Sequence, residues 1–229
     1  MSATSLVWLF DVDGTLLLTE GAGRRAIAAA LHERYGIEDD LKHIPMAGRT
    51  DPLIVADALR VHAIELDGDG EHTALWGAIL SHMRRLMTPP PGGLLPGVAG
   101  VLDAVGAHPG WVSALLTGNV REMARLKLGA FGVYERFAFG AFGDEAPDRN
   151  ALAILAAGRA AERYGVAPER CVVVGDTEHD IACARAAGAK VVAVATGGRS
   201  REELAAHAPD LLLDDLRDAA ALVAWARGL

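Results

Sequence analysis

The chain has 229 residues, 51% hydrophobic and 23% charged, so it can bury a core and is not a disordered chain. Its formal net charge of −8 argues against a general binder of nucleic acid or of anionic membranes, which needs a basic face. No apolar run approaches the roughly 20 residues that span a bilayer, and residues 1–10 lack the pattern of a signal peptide. With only two cysteines, Cys171 and Cys183, and no zinc-type spacing, we expect a cytoplasmic protein.

Short apolar runs alternate with helical patterns along most of the chain. The runs predict strands over residues 6–10, 111–116, 171–174, 190–195 and 210–213, and a weaker one over 137–139. Apolar residues at three- and four-residue steps predict helices over 97–107, 120–128, 150–164, 181–187 and 216–227. This alternation predicts an α/β fold, in which helices cover both faces of a parallel, Rossmann-like sheet.

Residues 20–93 interrupt that alternation and hold no convincing strand. Amphipathic patterns predict three helices there, over 23–35, 52–64 and 71–87. Thr50-Asp51-Pro52 is typical of a helix start, and the proline-rich stretch 88–93 cannot continue a helix. We therefore expect a core domain formed by residues 1–19 and 94–229, with residues 20–93 inserted as an all-helical domain.

Acidic residues follow two of the predicted strands. Asp11 and Asp13 leave the end of the first strand, where positions i and i+2 face the same side. Burying two like charges is costly unless something compensates, and a divalent cation is the usual answer. Asp176 ends a second apolar run, and Asp180 follows one helical turn later. Ligands of open parallel sheets bind at the carboxyl ends of strands, so these carboxylates are candidate site residues.

A third strand ends in Thr117-Gly118-Asn119. The hydroxyl of Thr117 and the amides of Gly118 and Asn119 can donate to an anionic oxygen at a helix start. For the side chain of Asn119 we expect the more ordinary role of capping that helix.

These three stretches resemble, in order, motifs of the haloacid dehalogenase-like (HAD) hydrolase superfamily. Residues 10–15 are similar to its DxDGT motif, residues 116–119 to its second motif, and residues 174–180 to its GDxxxD motif. The resemblance extends from residue 6 to about residue 195, and each motif follows a predicted strand. It implies that the helical insertion is the cap domain of the subgroup whose cap lies between the first two motifs.

The resemblance also implies a role for each motif residue. Asp11 would be the nucleophile that forms an aspartyl-phosphate, and Asp13 the general acid and base. Mg²⁺ would be held by the Asp11 carboxylate, the main-chain carbonyl of Asp13 and Asp176, with Asp180 orienting the metal site. Thr117, Gly118 and Asn119 would hold the transferred phosphoryl group.

The family also uses a Lys or Arg beside the nucleophile, and here the chain departs from the common Lys-Pro pattern. It reads Ala146-Pro-Asp-Arg149 instead, which makes Arg149 the first candidate for this cation. Lys127 is the second candidate, and its ordinary alternative is a solvated position on a helix.

Residues 48–51 resemble the cap segment of phosphoglycolate phosphatase-like proteins, so Arg49 is a candidate substrate contact, and Arg24 or Arg25 are others. Asp13 disfavours a dehalogenase, because a halide leaving group needs no acid. The resemblance therefore implies a Mg²⁺-dependent phosphatase that acts on a small phosphorylated metabolite, with phosphoglycolate as the first substrate to test.

Two alternatives stay open at this point. A sugar phosphomutase would use the same aspartyl-phosphate and return the phosphoryl group to the product. A non-catalytic module that binds a phosphorylated metabolite would need no second acid at Asp13. A nicotinamide-dependent enzyme is disfavoured, because the Gly21-x-Gly23 pattern is separated from the first strand by residues 11–19.

Overall fold

The computed structural model describes residues 5–229, and residues 1–4, the start of the predicted core domain, lie outside the described residues. Its main sheet has six parallel strands in the order β5-β4-β1-β6-β7-β8, and a separate antiparallel pair joins β2 to β3. The strands of the described chain are β1 (Leu6–Phe10), β2 (Leu17–Leu18), β3 (Gly93–Leu94), β4 (Trp111–Thr117), β5 (Gly140–Phe142), β6 (Cys171–Gly175), β7 (Lys190–Val194) and β8 (Leu211–Leu213).

Helices cover both faces of this sheet, as the sequence predicts. The helices of residues 5–229 are α1 (Ala22–Tyr35), α2 (Asp51–Val61), α3 (Gly68–Leu86), α4 (Val98–Ala107), α5 (Arg121–Ala130), α6 (Arg149–Tyr164), α7 (Glu178–Ala186), α8 (Arg201–Ala205) and α9 (Ala219–Arg227). One core cluster joins the sheet to α4, α5 and α9, and the other joins it to α6 and α7. The predicted α/β, Rossmann-like fold is confirmed.

The central strand β1 explains why an uninterrupted apolar run is required here. All five of its residues are buried, because each face of the strand meets a different core cluster. Trp8 and Phe10 point into one cluster, whereas Val7 and Leu9 point into the other, as the two-residue period of a strand requires. This burial on both sides fixes β1 in the middle of the sheet, with its carboxyl end between those of β4 and β6.

Helices α1, α2 and α3 bury their apolar faces in a third cluster, which includes Ile27, Leu31, Leu75, Ile79 and Met83. The antiparallel pair of β2 and β3 lies where the chain enters and leaves this helical segment. Two-residue strands have no periodicity that a sequence pattern can reveal, so this pair was not predicted. No helix within residues 5–229 is both long enough and apolar enough to cross a membrane.

The weakest strand prediction was wrong in position. Residues 137–139 do not form a strand; β5 lies at Gly140–Phe142, where Gly140 pairs with Leu115. The apolar character of the run has another cause, since the half-buried ring of Phe137 packs edge-on against Phe10 and the buried Phe139 lies in a core cluster. Helix α8 was also missed, because its capping box (Ser200 and Glu203) starts a helix of only five residues.

Candidate active site

Three buried carboxylates meet at the carboxyl ends of β1 and β6. Asp11 follows β1, Asp176 follows β6, and Asp180 lies in the first turn of α7. One carboxylate oxygen from each lies within 4.8 Å of the others, and the three residues are 7%, 4% and 1% exposed. The parallel pairing of Phe10 with Val174 brings these strand ends side by side. Residues 165 positions apart in sequence therefore share one buried acidic cluster.

Burial makes ionisation of these acids costly. Loss of solvent raises the pKa of Asp11 to about 6, although the positive charge of Arg149 opposes the rise. The pKa of Asp176 rises to about 8, first because of burial and then because Asp180 and Asp11 are negatively charged. A bound cation would favour the charged form of each acid.

The carboxylate of Asp176 lies in a close-fitting cradle of backbone. The hydroxyl of Thr15 donates to Asp176 Oδ1 at 3.0 Å. Gly14, with φ +83°, and Gly197 approach the same carboxylate so closely that a Cβ on either would overlap it. The hydroxyl of Thr196 donates to the Gly14 carbonyl at 2.6 Å, which ties the loop after β7 to the loop after β1. Thr196 and Gly197 are site residues that sequence reasoning missed.

Arg149 is the cation of the acidic cluster. One guanidinium nitrogen lies 3.0 Å from Asp11 Oδ1 and also contacts Asp180 Oδ1. Burial lowers the pKa of Arg149, but the charges of Asp11 and Asp180 outweigh burial and raise it well above its ordinary value. The amide and hydroxyl of Thr177 donate to the other Asp180 oxygen, at 3.0 and 2.6 Å. Asp180 is thereby held in place while it faces Arg149.

Lys127 forms a second cationic contact, on the side of Asp13. Its ammonium lies 2.6 Å from Asp13 Oδ2 and 2.6 Å from Asn119 Oδ1, and the residue is 5% exposed. The alternative of a solvated helix position is therefore wrong. Lys127 shares the buried face of α5 with Met123 and Ala124, four and three residues earlier, and this spacing is a signal present in the sequence.

The side chain of Asn119 does not cap α5, so that expectation was wrong. Its amide nitrogen instead donates to Asp13 Oδ2 at 2.7 Å and to the hydroxyl of Thr117 at 2.9 Å. The Thr117 hydroxyl also accepts from the Asn119 backbone amide at 3.2 Å, which leaves its own hydrogen free to donate. Asp13 is the most open of the acids, with 43% of its side chain exposed.

These side chains open into a cavity of about 440 Å³ between the sheet edge and the helical segment. The core side of its lining includes Asp11, Asp13, Gly118, Asn119, Lys127, Arg149 and Asp176, and the helical side includes Arg24, Ile27, Met46, Arg49, Asp51 and Ile54. The guanidinium of Arg49 is already paired with Asp57 at 2.7 Å. Arg25 is exposed and donates to the Glu20 carbonyl instead.

Comparison with known proteins assigns the family. A family model described as haloacid dehalogenase-like hydrolase matches residues 8–185. The chain belongs to this family. A second model, described as HAD-hydrolase-like, matches residues 153–219. The resemblance that the motifs indicated is thus confirmed.

Similar proteins narrow the type of hydrolase. The phosphoglycolate phosphatase of Xylella fastidiosa strain 9a5c is 34% identical over 202 residues, which cover 85% of this chain and 82% of that protein. The phosphoglycolate phosphatase of Xanthomonas campestris pv. campestris strain 8004 is 34% identical over 201 residues, which cover 83% of each. With the family assignment, these relatives identify this HAD-family chain as a phosphatase.

Solved structures share the fold at low sequence identity. The β-phosphoglucomutase of Clostridium difficile has a TM-score of 0.75 at 17% identity and covers 98% of both chains. CbbY of Rhodobacter sphaeroides, solved in complex with phosphate, has a TM-score of 0.74 at 23% identity, covering 94% of this chain and 96% of that one. At such identities the likeness shows the HAD fold alone.

Proposed function

We propose that the chain is a Mg²⁺-dependent phosphomonoesterase that hydrolyses a small phosphorylated metabolite through an aspartyl-phosphate on Asp11. The observation that carries the proposal is the setting of Asp11: it is buried, it is paired with Arg149 at 3.0 Å, and it lines a cavity of about 440 Å³. A buried carboxylate held by a fixed cation beside an open cavity is arranged for attack on a bound electrophile.

The donor set of the acidic cluster fits Mg²⁺. All of its clustered groups are carboxylates, the hard oxygen ligands that this ion prefers. The cluster and Asp13 together supply four carboxylates in contact with the two cations Lys127 and Arg149, so a divalent ion would reduce the excess negative charge. Asp11, Asp176 and the main-chain carbonyl of Asp13 would hold Mg²⁺, and Asp180 would orient the site. When bound, the ion would neutralise charge on the phosphoryl oxygens.

Two steps account for hydrolysis. A carboxylate oxygen of Asp11 attacks phosphorus as the ester P–O bond breaks, and Asp13 gives its proton to the leaving oxygen. Asp13 then takes a proton from water as that water attacks phosphorus, which releases inorganic phosphate and restores Asp11. Asp13 suits both roles because its partly exposed carboxyl lines the cavity. Arg149 is the cation beside the nucleophile.

The phosphoryl group would be held by the turn after β4. The Thr117 hydroxyl keeps a hydrogen free to donate, and Gly118 and Asn119 line the cavity. Arg24 and Arg49 both line the cavity from the helical side. We assign Arg49 to the leaving group, because it belongs to the segment 48–51 that resembles the cap of phosphoglycolate phosphatase-like proteins.

We assign residues 20–93 as a cap domain and residues 1–19 with 94–229 as the core. The separate apolar cluster of α1, α2 and α3 supports this division, and so does the β2–β3 pair at its base. A cap over the cavity would exclude water and contact the leaving group. Because the relatives described above are phosphoglycolate phosphatases, phosphoglycolate is the first substrate to test.

The test is phosphate release from a metabolite panel that includes phosphoglycolate, with Mg²⁺ present. Asp11→Asn should lose at least about 10³-fold of the activity, because an amide is a poor nucleophile. Asp69→Asn is the matched control, because Asp69 is an exposed acid on α3 away from the cavity. Undiminished activity of the Asp11→Asn protein, or activity that EDTA leaves unchanged, would contradict the proposal. Isomerised sugar phosphate without free phosphate would instead indicate a mutase.

A further inference from the structure

Asp51 is an acidic residue of the cavity that the proposed chemistry does not use. It is the first residue of α2, in the helical segment, yet its side chain reaches the core. Its carboxylate oxygen Oδ2 accepts from the backbone amide of Val120 at 2.9 Å. Its own amide donates to the carbonyl of Gly118 at 2.7 Å. Asp51 thus exchanges two hydrogen bonds with the turn after β4.

The chain around Asp51 lies directly against that same turn. A Cβ on Gly118 would lie 2.9 Å from the carbonyl carbon of Arg49 and 3.0 Å from Thr50 Cα. On the other side of the turn, a Cβ on Gly143 would lie 3.1 Å from Thr50 Cβ. Thr50 is only 2% exposed. The backbone at the start of α2 is therefore in direct contact with the turn.

The turn that Asp51 holds carries the groups assigned to the phosphoryl oxygens. Thr117, Gly118 and Asn119 are the three residues before Val120, and the side chain of Asn119 joins Asp13 to Lys127. Asp51 therefore acts on the phosphate side of the site through the backbone of the turn.

We infer that Asp51 is a positioning residue: it fixes the turn 117–120 in its phosphate-binding shape only while the start of α2 is docked against the core. The turn then takes up its phosphate-binding shape at the same time as the helical segment docks against the core. The inference rests on the proposed function for its consequence, since the phosphoryl group must bind at this turn. The hydrogen bonds that Asp51 makes to the turn do not depend on the reaction.

The first measurement is binding of inorganic phosphate to the full-length protein with Mg²⁺ by calorimetry. Asp51→Ala removes the acceptor for the Val120 amide and should raise the Kd about tenfold, the cost of one hydrogen bond to a charged group. Asp51→Asn keeps an oxygen acceptor and should restore the Kd to within about threefold of the native protein. The matched control is Asp69→Ala, because Asp69 is also a first-turn acid of a helix in this segment, but an exposed one.

The second measurement is amide hydrogen exchange, which needs neither substrate nor activity. Exchange at Val120 should speed up at least about tenfold in Asp51→Ala and stay unchanged in Asp69→Ala. An unchanged exchange rate at Val120 in Asp51→Ala would overturn the inference. So would a Kd for phosphate that is raised as much in Asp51→Asn as in Asp51→Ala. If the native protein neither binds nor releases phosphate but Val120 exchange responds as expected, the proposed function fails while the positioning by Asp51 stands.

Discussion

Replacing Gly197 by Ala should weaken Mg²⁺ binding without unfolding the protein. A Cβ at residue 197 would overlap Asp176 Oδ2 and lie 2.6 Å from Asp176 Cγ, whereas carbon atoms pack no closer than about 3.5 Å. The carboxylate must therefore move by at least about 1 Å. The backbone of Gly197 has no positive φ, so alanine introduces no backbone strain. The atoms in the way belong to one side chain, which makes displacement of Asp176 the expected adjustment. Perturbing the support of a metal ligand typically weakens affinity about 10- to 100-fold.

The assay is Mg²⁺ titration of EDTA-treated protein by calorimetry, alongside a thermal melt. Gly198→Ala is the matched control, because a Cβ at that neighbouring position would meet no atom within 4 Å. We expect a Kd for Mg²⁺ that is 10- to 100-fold higher in Gly197→Ala than in Gly198→Ala, with cooperative melting in both. Equal Mg²⁺ affinity of the two variants would refute the reasoning that the loop after β7 confines Asp176.

Three further outcomes are expected. Arg149→Met should lower kcat for phosphate release by about 10²-fold or more, because it removes the positive charge beside Asp11. Arg149→Lys keeps a positive charge and should retain more activity. An equal loss of kcat in the two variants would contradict this role of the charge. Raised pKa values of about 6 for Asp11 and about 8 for Asp176 mean that the folded, metal-free protein binds more protons than the unfolded chain between about pH 4 and 8. The free energy of unfolding of the metal-free protein should therefore fall as the pH rises over that range. Thermal melts in EDTA at several pH values would measure this decline, and Asp176→Asn should make it less steep. Ile79→Ala in the buried helical cluster should cost about 2–5 kcal/mol of unfolding free energy in urea titrations, against less than about 1 kcal/mol for the 40% exposed Leu53→Ala.

The fold could be predicted because its strongest elements carry local signals. A strand buried on both faces, such as β1, must be apolar throughout, and the acids that follow it mark the carboxyl end of the sheet. The prediction was wrong at residues 137–139, where the rings of Phe137 and Phe139 pack against the core without belonging to the strand. An apolar run indicates contact with the core, and such contact alone does not distinguish a strand from the segment just before it.

The site was predicted less completely because several of its contacts join distant parts of the chain. Helical spacing puts Lys127 on the buried face of α5, but no sequence pattern shows that its ammonium contacts the carboxylate of Asp13. Nor does any spacing rule relate Gly197 to Asp176, or Asp51 to the amide of Val120. Motifs identify residues that follow their own strand, whereas these three residues reach the site from α5, the loop after β7 and the start of α2.

The narrow ribbon of β2 and β3 has a consequence for how this protein can vary. Leu17 pairs with Leu94 and Leu18 pairs with Gly93, so the chain enters and leaves the helical segment at one antiparallel pair of strands. Because the two ends of the inserted segment already meet at this pair, a change in the length of the segment need not shift the register of β1 against β4 and β6. The start of α2 is the exception, because Asp51 contacts the turn after β4 directly, so a change there also reaches the groups on the sheet.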